Sequence, residues 1–193
     1  ELVRVLDKRV STIPNFQRTR GALRLLARTV RGLWDTRPDG TLLIQLDNLN
    51  LRDPDTAEDL SSRIDRPKWE PVIRADVASS PGGEMSHADE IDARLDTELA
   101  GRLATGIYLF SLTDDVPGVP APELFGAVHR PSDDANIATK ALDALEHEAW
   151  YLHTDLRGYR FSTEVALPKL ILDAQQEISK GKVKAAATDI LAS

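Results

Sequence analysis

Apolar residues recur at helical spacing along most of this chain, and the interruptions mark its turns. Leu2, Val5, Leu6 and Val10 make a first helical stripe. Pro14-Asn15 breaks it, and Asn15 or Thr19 is placed to cap the next helix. Leu23, Leu26, Ala27, Val30 and Trp34 form a second stripe, with Arg24, Arg28 and Arg31 on the other side. Arg37-Pro38-Asp39-Gly40 is a turn, Leu42-Leu43-Ile44-Gln45-Leu46 a strand candidate, and residues 55–65 a short helix behind Pro54.

Ser79-Ser80-Pro81-Gly82-Gly83 is the clearest loop. A helical stretch follows from about Ser86 to Leu112, weakened at Gly101 and Gly106, where two helices are expected to meet. After a loop from Asp114 to Pro122 comes a short helix over residues 122–129, ended by Pro131. Ile137, Ala138, Ala141, Leu142, Leu145, Ala149 and Leu152 then mark a longer helix, read as spanning 137–153. Asp155-Leu156-Arg157-Gly158 turns the chain into a strand at Tyr159-Arg160-Phe161-Ser162, and a last helix starts near Leu167. Trp150 and Tyr151 close the long helix, and at least one is expected to pack under the strand ribbon. The fold class is mainly α with a small β component. Helix, short helix, longer helix and ribbon is the order of a winged helix.

Composition changes this picture little. The 193 residues are 41% hydrophobic and 28% charged, as in globular domains, and lack cysteine, which excludes disulfides, thiolate nucleophiles and cysteine–zinc sites. With no apolar run long enough for a membrane and no basic-then-apolar leader, the expected location is cytoplasmic. The start at Glu1 and the lone Met85 suggest a piece of a longer protein. Charge matters more. Residues 1–37 carry a net charge of +6, residues 38–101 carry −9 and residues 102–193 carry −4. The basic block either meets phosphates or packs on acidic neighbours, while the rest repels a nucleic-acid backbone.

The enzyme motifs are missing. Gly181-Lys182 has no upstream glycine partner for a phosphate loop, and neither G-x-S-x-G nor H-E-x-x-H occurs. His87, His129, His147 and His153 have no standard metal spacing and read as packing or surface residues. Asp114-Asp115 and Asp133-Asp134 read as turn and capping residues. What stands out is Phe16-Gln17-Arg18-Thr19-Arg20-Gly21-Ala22-Leu23-Arg24, arginines gathered at the positive end of an apolar helix. Such arginines need an anion or a carboxylate nearby, and phosphate suits the guanidinium fork.

This segment resembles the lid-domain helix of AAA+ ATPases, where a sensor-2 arginine opens an Arg-x-Ala-Leu pattern, here Arg20-Gly21-Ala22-Leu23. Together with Arg102-Leu103-Ala104-Thr105-Gly106-Ile107-Tyr108-Leu109-Phe110-Ser111, and with Ala149 to His153 running on to Tyr159–Glu164, it resembles the domain-of-unknown-function 499 family of large bacterial ATPases from phage-defence islands. The chain departs from that family at Val165-Ala166-Leu167-Pro168, where an Asn-Leu-Asn-like run is expected. The resemblance implies a lid-like segment over 1–78, a linker at 79–85, a winged-helix-like module over 86–172 and a C-terminal helix or tail over 173–193. It implies a regulatory fragment, not itself catalytic, of an ATPase whose core lies upstream. ATP and magnesium would belong to that core and not to the fragment. Arg20, with Arg18 in reserve, would reach the nucleotide. The core is the implied partner, with other defence-system proteins beside it and no membrane. The alternative is a winged-helix adaptor or DNA-binding module whose N-terminal arginines are structural. DNA is the less favoured ligand, because Lys140 faces Asp143, Glu146 and Glu148 on the third helix.

Overall fold

A computed structural model describes residues 20–38, 43–63, 69–112, 118–167 and 169–171, the side chains of 20–22 and 61–63 excepted. The stripe at Leu2–Val10, the break at Pro14 and the tail over 173–193 lie outside the described residues.

Helix α1 spans Arg20–Thr36. Leu43 to Gln45 then runs irregularly into a 3₁₀ turn over Leu46–Asn48, where a strand was expected. The reason is local. Asn48 Oδ1 accepts the Gln45 N–H at 2.8 Å and curls the chain, so that Leu46 and Leu49 enter the core one turn apart. Helix α2, Pro54–Arg63, starts as its sequence dictates: Asp53 accepts from Thr56 N (3.1 Å) and Thr56 Oγ1 (2.6 Å), and proline fills the first helical position. Helix α3, Trp69–Val72, runs into a single π-helical turn over Ile73–Val77.

The long stretch after the Pro-Gly-Gly loop is indeed two helices, α4 (His87–Leu95) and α5 (Leu99–Phe110). They part at Asp96–Glu98 and not at a glycine. Asp96 takes a left-handed conformation (φ 52°), and the Asp92 carboxylate accepts the N–H groups of Ala100 (2.7 Å) and Gly101 (2.9 Å) that open α5. Gly106 serves packing: a Cβ there would lie 2.9 Å from Val128 Cγ1, so α5 can lie close against helix α6, Ala121–Val128. Helix α7, Ala135–Glu148, is capped by Asp134 through Asn136 N and ends before Ala149. Leu152, read from its spacing as helical, instead opens strand β1 (Leu152–Asp155), which pairs antiparallel with β2 (Gly158–Phe161), Leu152 opposite Phe161.

Val119 bridges Tyr159 as a short third strand, with backbone bonds of 2.8 and 3.0 Å. Gly158 permits this, because its φ is +119° and a Cβ would lie 2.2 Å from the Val119 carbonyl oxygen. Residues 99–161 thus run through α5, the Val119 bridge, α6, α7 and the two-stranded β1–β2 hairpin, called the wing below. Ser111 pins the wing to α5, donating to the Ile107 carbonyl and accepting the Phe161 N–H at 2.8 Å. Leu46, Leu60, Trp69 and Ile73 from the first half share one apolar core with Leu103, Ile107, Leu142 and Phe161. Among the described residues no helix is long and apolar enough to cross a membrane.

Candidate functional site

Of the two arginines singled out from the sequence, Arg18 lies outside the described residues. Arg20 opens α1, its side chain outside them too. Their neighbours are placed. Arg24 reaches Asp59 at 3.3 Å, and Arg28 sits 3.5–3.6 Å from carboxylates of Asp53, Asp55 and Asp59. The cationic edge of α1 is laid on the acidic edge of α2, so for Arg24 and Arg28 the compensating anion is protein. Leu25 and Thr29 point into the body, each 3% exposed or less. The stripe carrying Leu23, Val30 and Trp34 therefore faces outward. A groove of about 1220 Å³ separates α1 from the 47–53 loop and the start of α5, and several of its charges are paired across or along its walls.

The chain also buries charges that its spacing does not announce. Asp76, inside the π turn, is fully buried. Its Oδ1 accepts from His87 Nδ1 (2.7 Å) and Trp150 N (3.0 Å), and its Oδ2 from Tyr151 N (2.6 Å). One carboxylate thus joins the end of α3, the start of α4 and the entrance to the wing. Burial pulls the His87 pKa down, but the hydrogen bond and charge of Asp76, with Glu90 and the Ala75 carbonyl, leave it raised above 6.5. The Trp150 ring stands edge-on to His87 at 4.9 Å, with the Lys169 ammonium 4.5 Å from its centre. Tyr151 packs partly buried against the core, while Trp150 stays about two-fifths exposed.

A second cluster centres on Arg102, which is 8% exposed. It binds Asp47 (3.1 Å), Asp133 (3.0 Å) and the Val128 carbonyl, while Arg130 reaches the same Asp47 oxygen at 2.7 Å. Asp133 also accepts the Arg130 N–H, so it is an ion-pair and turn residue as well as the neighbour of a cap. A third links Asp89 to Arg52, Ser79 and Ser86. Burial raises the Asp89 pKa, and the Arg52 and serine hydrogen bonds overcome it, leaving it below the usual value. Asp92 goes the other way. Burial and the charges of Asp89 and Glu98 outweigh its two backbone bonds, and its pKa rises to about 6.

Each of these groups is engaged by the chain's own backbone or side chains, an arrangement that ties segments together. Among the described residues no His, Asp and Glu gather where they could hold a metal ion. His129, His147 and His153 each contact a nearby carbonyl. In sequence, the signals for Asp76 and Arg102 were charges set inside apolar runs, Asp76 beside Arg74 in 72–78 and Arg102 by itself in 99–104.

On the solvent side of α7, Asn136, Thr139, Lys140, Asp143 and His147 are exposed, with Glu146 half-buried. Glu148 is tied to Arg94. Burial, then Glu146 and Asp143, push the Tyr159 phenol on the wing upward, which places two α7 carboxylates within electrostatic reach of the wing. Comparison with known family patterns, with characterised proteins and with solved structures finds no match for this chain.

Proposed function

We propose that this chain is the non-catalytic C-terminal regulatory part of a larger bacterial ATPase, and that its winged-helix-like unit engages protein and not DNA. The observation that carries the second half is the make-up of the solvent face of α7, where Asp143 and Glu146 outnumber Lys140, with Arg157 and Arg160 as the cations of the wing. A helix so charged loses the phosphate attraction that supplies most non-specific DNA affinity. The ATPase itself rests on the resemblance of three sequence segments. In support, Arg20 opens α1, whose following turns bury Leu25 and Thr29 and set Arg24 and Arg28 beside carboxylates of α2, so the helix start is placed against the body. In this reading Arg20 neutralises phosphate charge on a nucleotide held by an upstream core, coupling nucleotide state to the position of the helix.

Two measurements test the reading. Titrating fluorescent duplex DNA in about 0.15 M salt should give no affinity tighter than ~10⁻⁴ M, the weak end of non-specific binding. Micromolar binding would favour the DNA-binding alternative. In the full-length parent protein, Arg20→Ala should leave the melting temperature in place and lower ATP turnover by ~10³-fold, with Arg20→Lys rescuing poorly. Unchanged turnover would remove Arg20 from the site.

A further inference from the structure

Helix α1 has two unlike faces. The one toward the body is held by buried Leu25 and Thr29 and by the arginine–carboxylate pairs. The outward one shows Leu23 (62% exposed), Ala27, Val30 (50%) and Trp34 (70%). These positions are spaced four, three and four residues apart, the seam of a helix that packs along another helix. Scattered exposed apolar residues need no explanation, but a seam in register over more than three turns does.

The flanks of the seam indicate its occupant. Arg24 and Arg31 line one edge, with side chains 47% and 80% exposed, and half-buried Leu26 and Leu33 line the other. A second copy of α1 laid antiparallel would set these arginine edges against each other, and one laid parallel would set arginines against leucines. Neither is a complementary pairing. Arg31 is held by Asp35 in an exposed pair on its own helix that can be exchanged at little cost, and Arg24 keeps about half of its side chain exposed beside the mostly buried Asp59. We propose that this face docks an amphipathic helix of another protein segment, with apolar residues at matching spacing and Asp or Glu along the edge that meets Arg24 and Arg31. The surface is independent of whether the chain belongs to an ATPase.

The test uses the whole chain and a synthetic helical peptide of about five turns, with leucines at the same spacing and glutamates on both flanks, beside a twin carrying lysines there. The glutamate peptide should bind with a Kd of ~10–100 µM, as small interfaces do, and shift Trp34 emission to the blue. Trp34→Phe identifies the source of the shift. Val30→Glu and Leu23→Glu, both at exposed positions and checked for unchanged circular dichroism, should each weaken binding at least about tenfold, and so should the lysine twin. Binding should also weaken between about 0.05 and 0.5 M NaCl. The proposal is overturned by no binding of either peptide at ~1 mM or by equal binding of both. It is also overturned by sedimentation showing a dimer that Val30→Glu dissolves, which would assign the face to a second copy.

Discussion

The α1–α2 edge and the contacts that join residues 46–77 to the helices and hairpin after residue 86 use charge in opposite ways. On the edge, Arg31 and Asp35 pair with 80% and 56% of their side chains exposed, and Arg28 shares three carboxylates without settling on one. In those contacts, Asp76 is fully buried and Asp47 has 1% of its side chain exposed, with each bond directed at a particular N–H. Water screens the first kind, so it costs little to break and can be traded for a partner's charge. Nothing screens the second, so a missing partner leaves an uncompensated group in a low dielectric. Burial, rather than the number of pairs, separates the part that holds the fold from the part free to change contacts.

The largest test of that contrast is Asp76→Ala. It strips the backbone N–H groups of Trp150 and Tyr151, and the ring of His87, of their acceptor, and should cost about 3–5 kcal/mol in urea denaturation. Arg24→Ala should cost less than ~1 kcal/mol. Similar losses from the two variants would end the distinction.

Changing pH sharpens it. Asp92 is raised to about 6, so the folded state holds a proton that the unfolded state releases near 4. Stability should fall by about 2 kcal/mol as pH rises from 4 to 6, and Asp92→Asn should flatten that slope. His87 is also raised, so its pairing with Asp76 contributes fully below pH 6.5 and fades as pH climbs through the folded value. His87→Gln should therefore lose stability at pH 5 and converge on the parent at high pH. A constant gap across that range would show that the ring acts by packing alone. Asp89 and Asp133 are lowered, so their contribution is lost below about pH 4, which places the stability maximum in mild acid.

The smallest effect marks the limit of the rule. Tyr108 is fully buried and its hydroxyl has no hydrogen-bond partner among the described residues, so burial pushes its pKa up. Its ring meets Trp69 edge-on at 5.6 Å. Tyr108→Phe should change stability by less than about 1 kcal/mol, in the stabilising direction, because the ring contact stays and an unpaired hydroxyl goes. A loss of 2 kcal/mol or more would reveal a bond to that oxygen.

Much of the fold was legible in the sequence because it is local. Asp53-Pro54, Ser86, Asp134 and the Asp155–Gly158 turn start or end elements through bonds to residues two or three positions away, and the order of elements after residue 98 could be read from them. Apolar spacing told where helices run but not which face is covered. The spacing of α1 marked a stripe at Leu23, Val30 and Trp34, yet tertiary structure turned Leu25 and Thr29 inward, the same rotation that sets Arg24 and Arg28 against the carboxylates of α2. Leu42–Leu46 looked like a strand, but a strand needs a neighbour to take its hydrogen bonds and the described part of that segment has none, so side-chain bonds curled it instead. Leu152 sits at helical spacing behind α7 and became β1, since the Asp76 carboxylate takes the N–H groups of Trp150 and Tyr151 that further helix would have needed. The local beginnings of the elements were written in short stretches of sequence. Which side of a helix is buried, and which charge inside an apolar run becomes a joint, depended on partners 30 to 80 residues away, as Asp76 with Trp150 and Arg102 with Asp47 show.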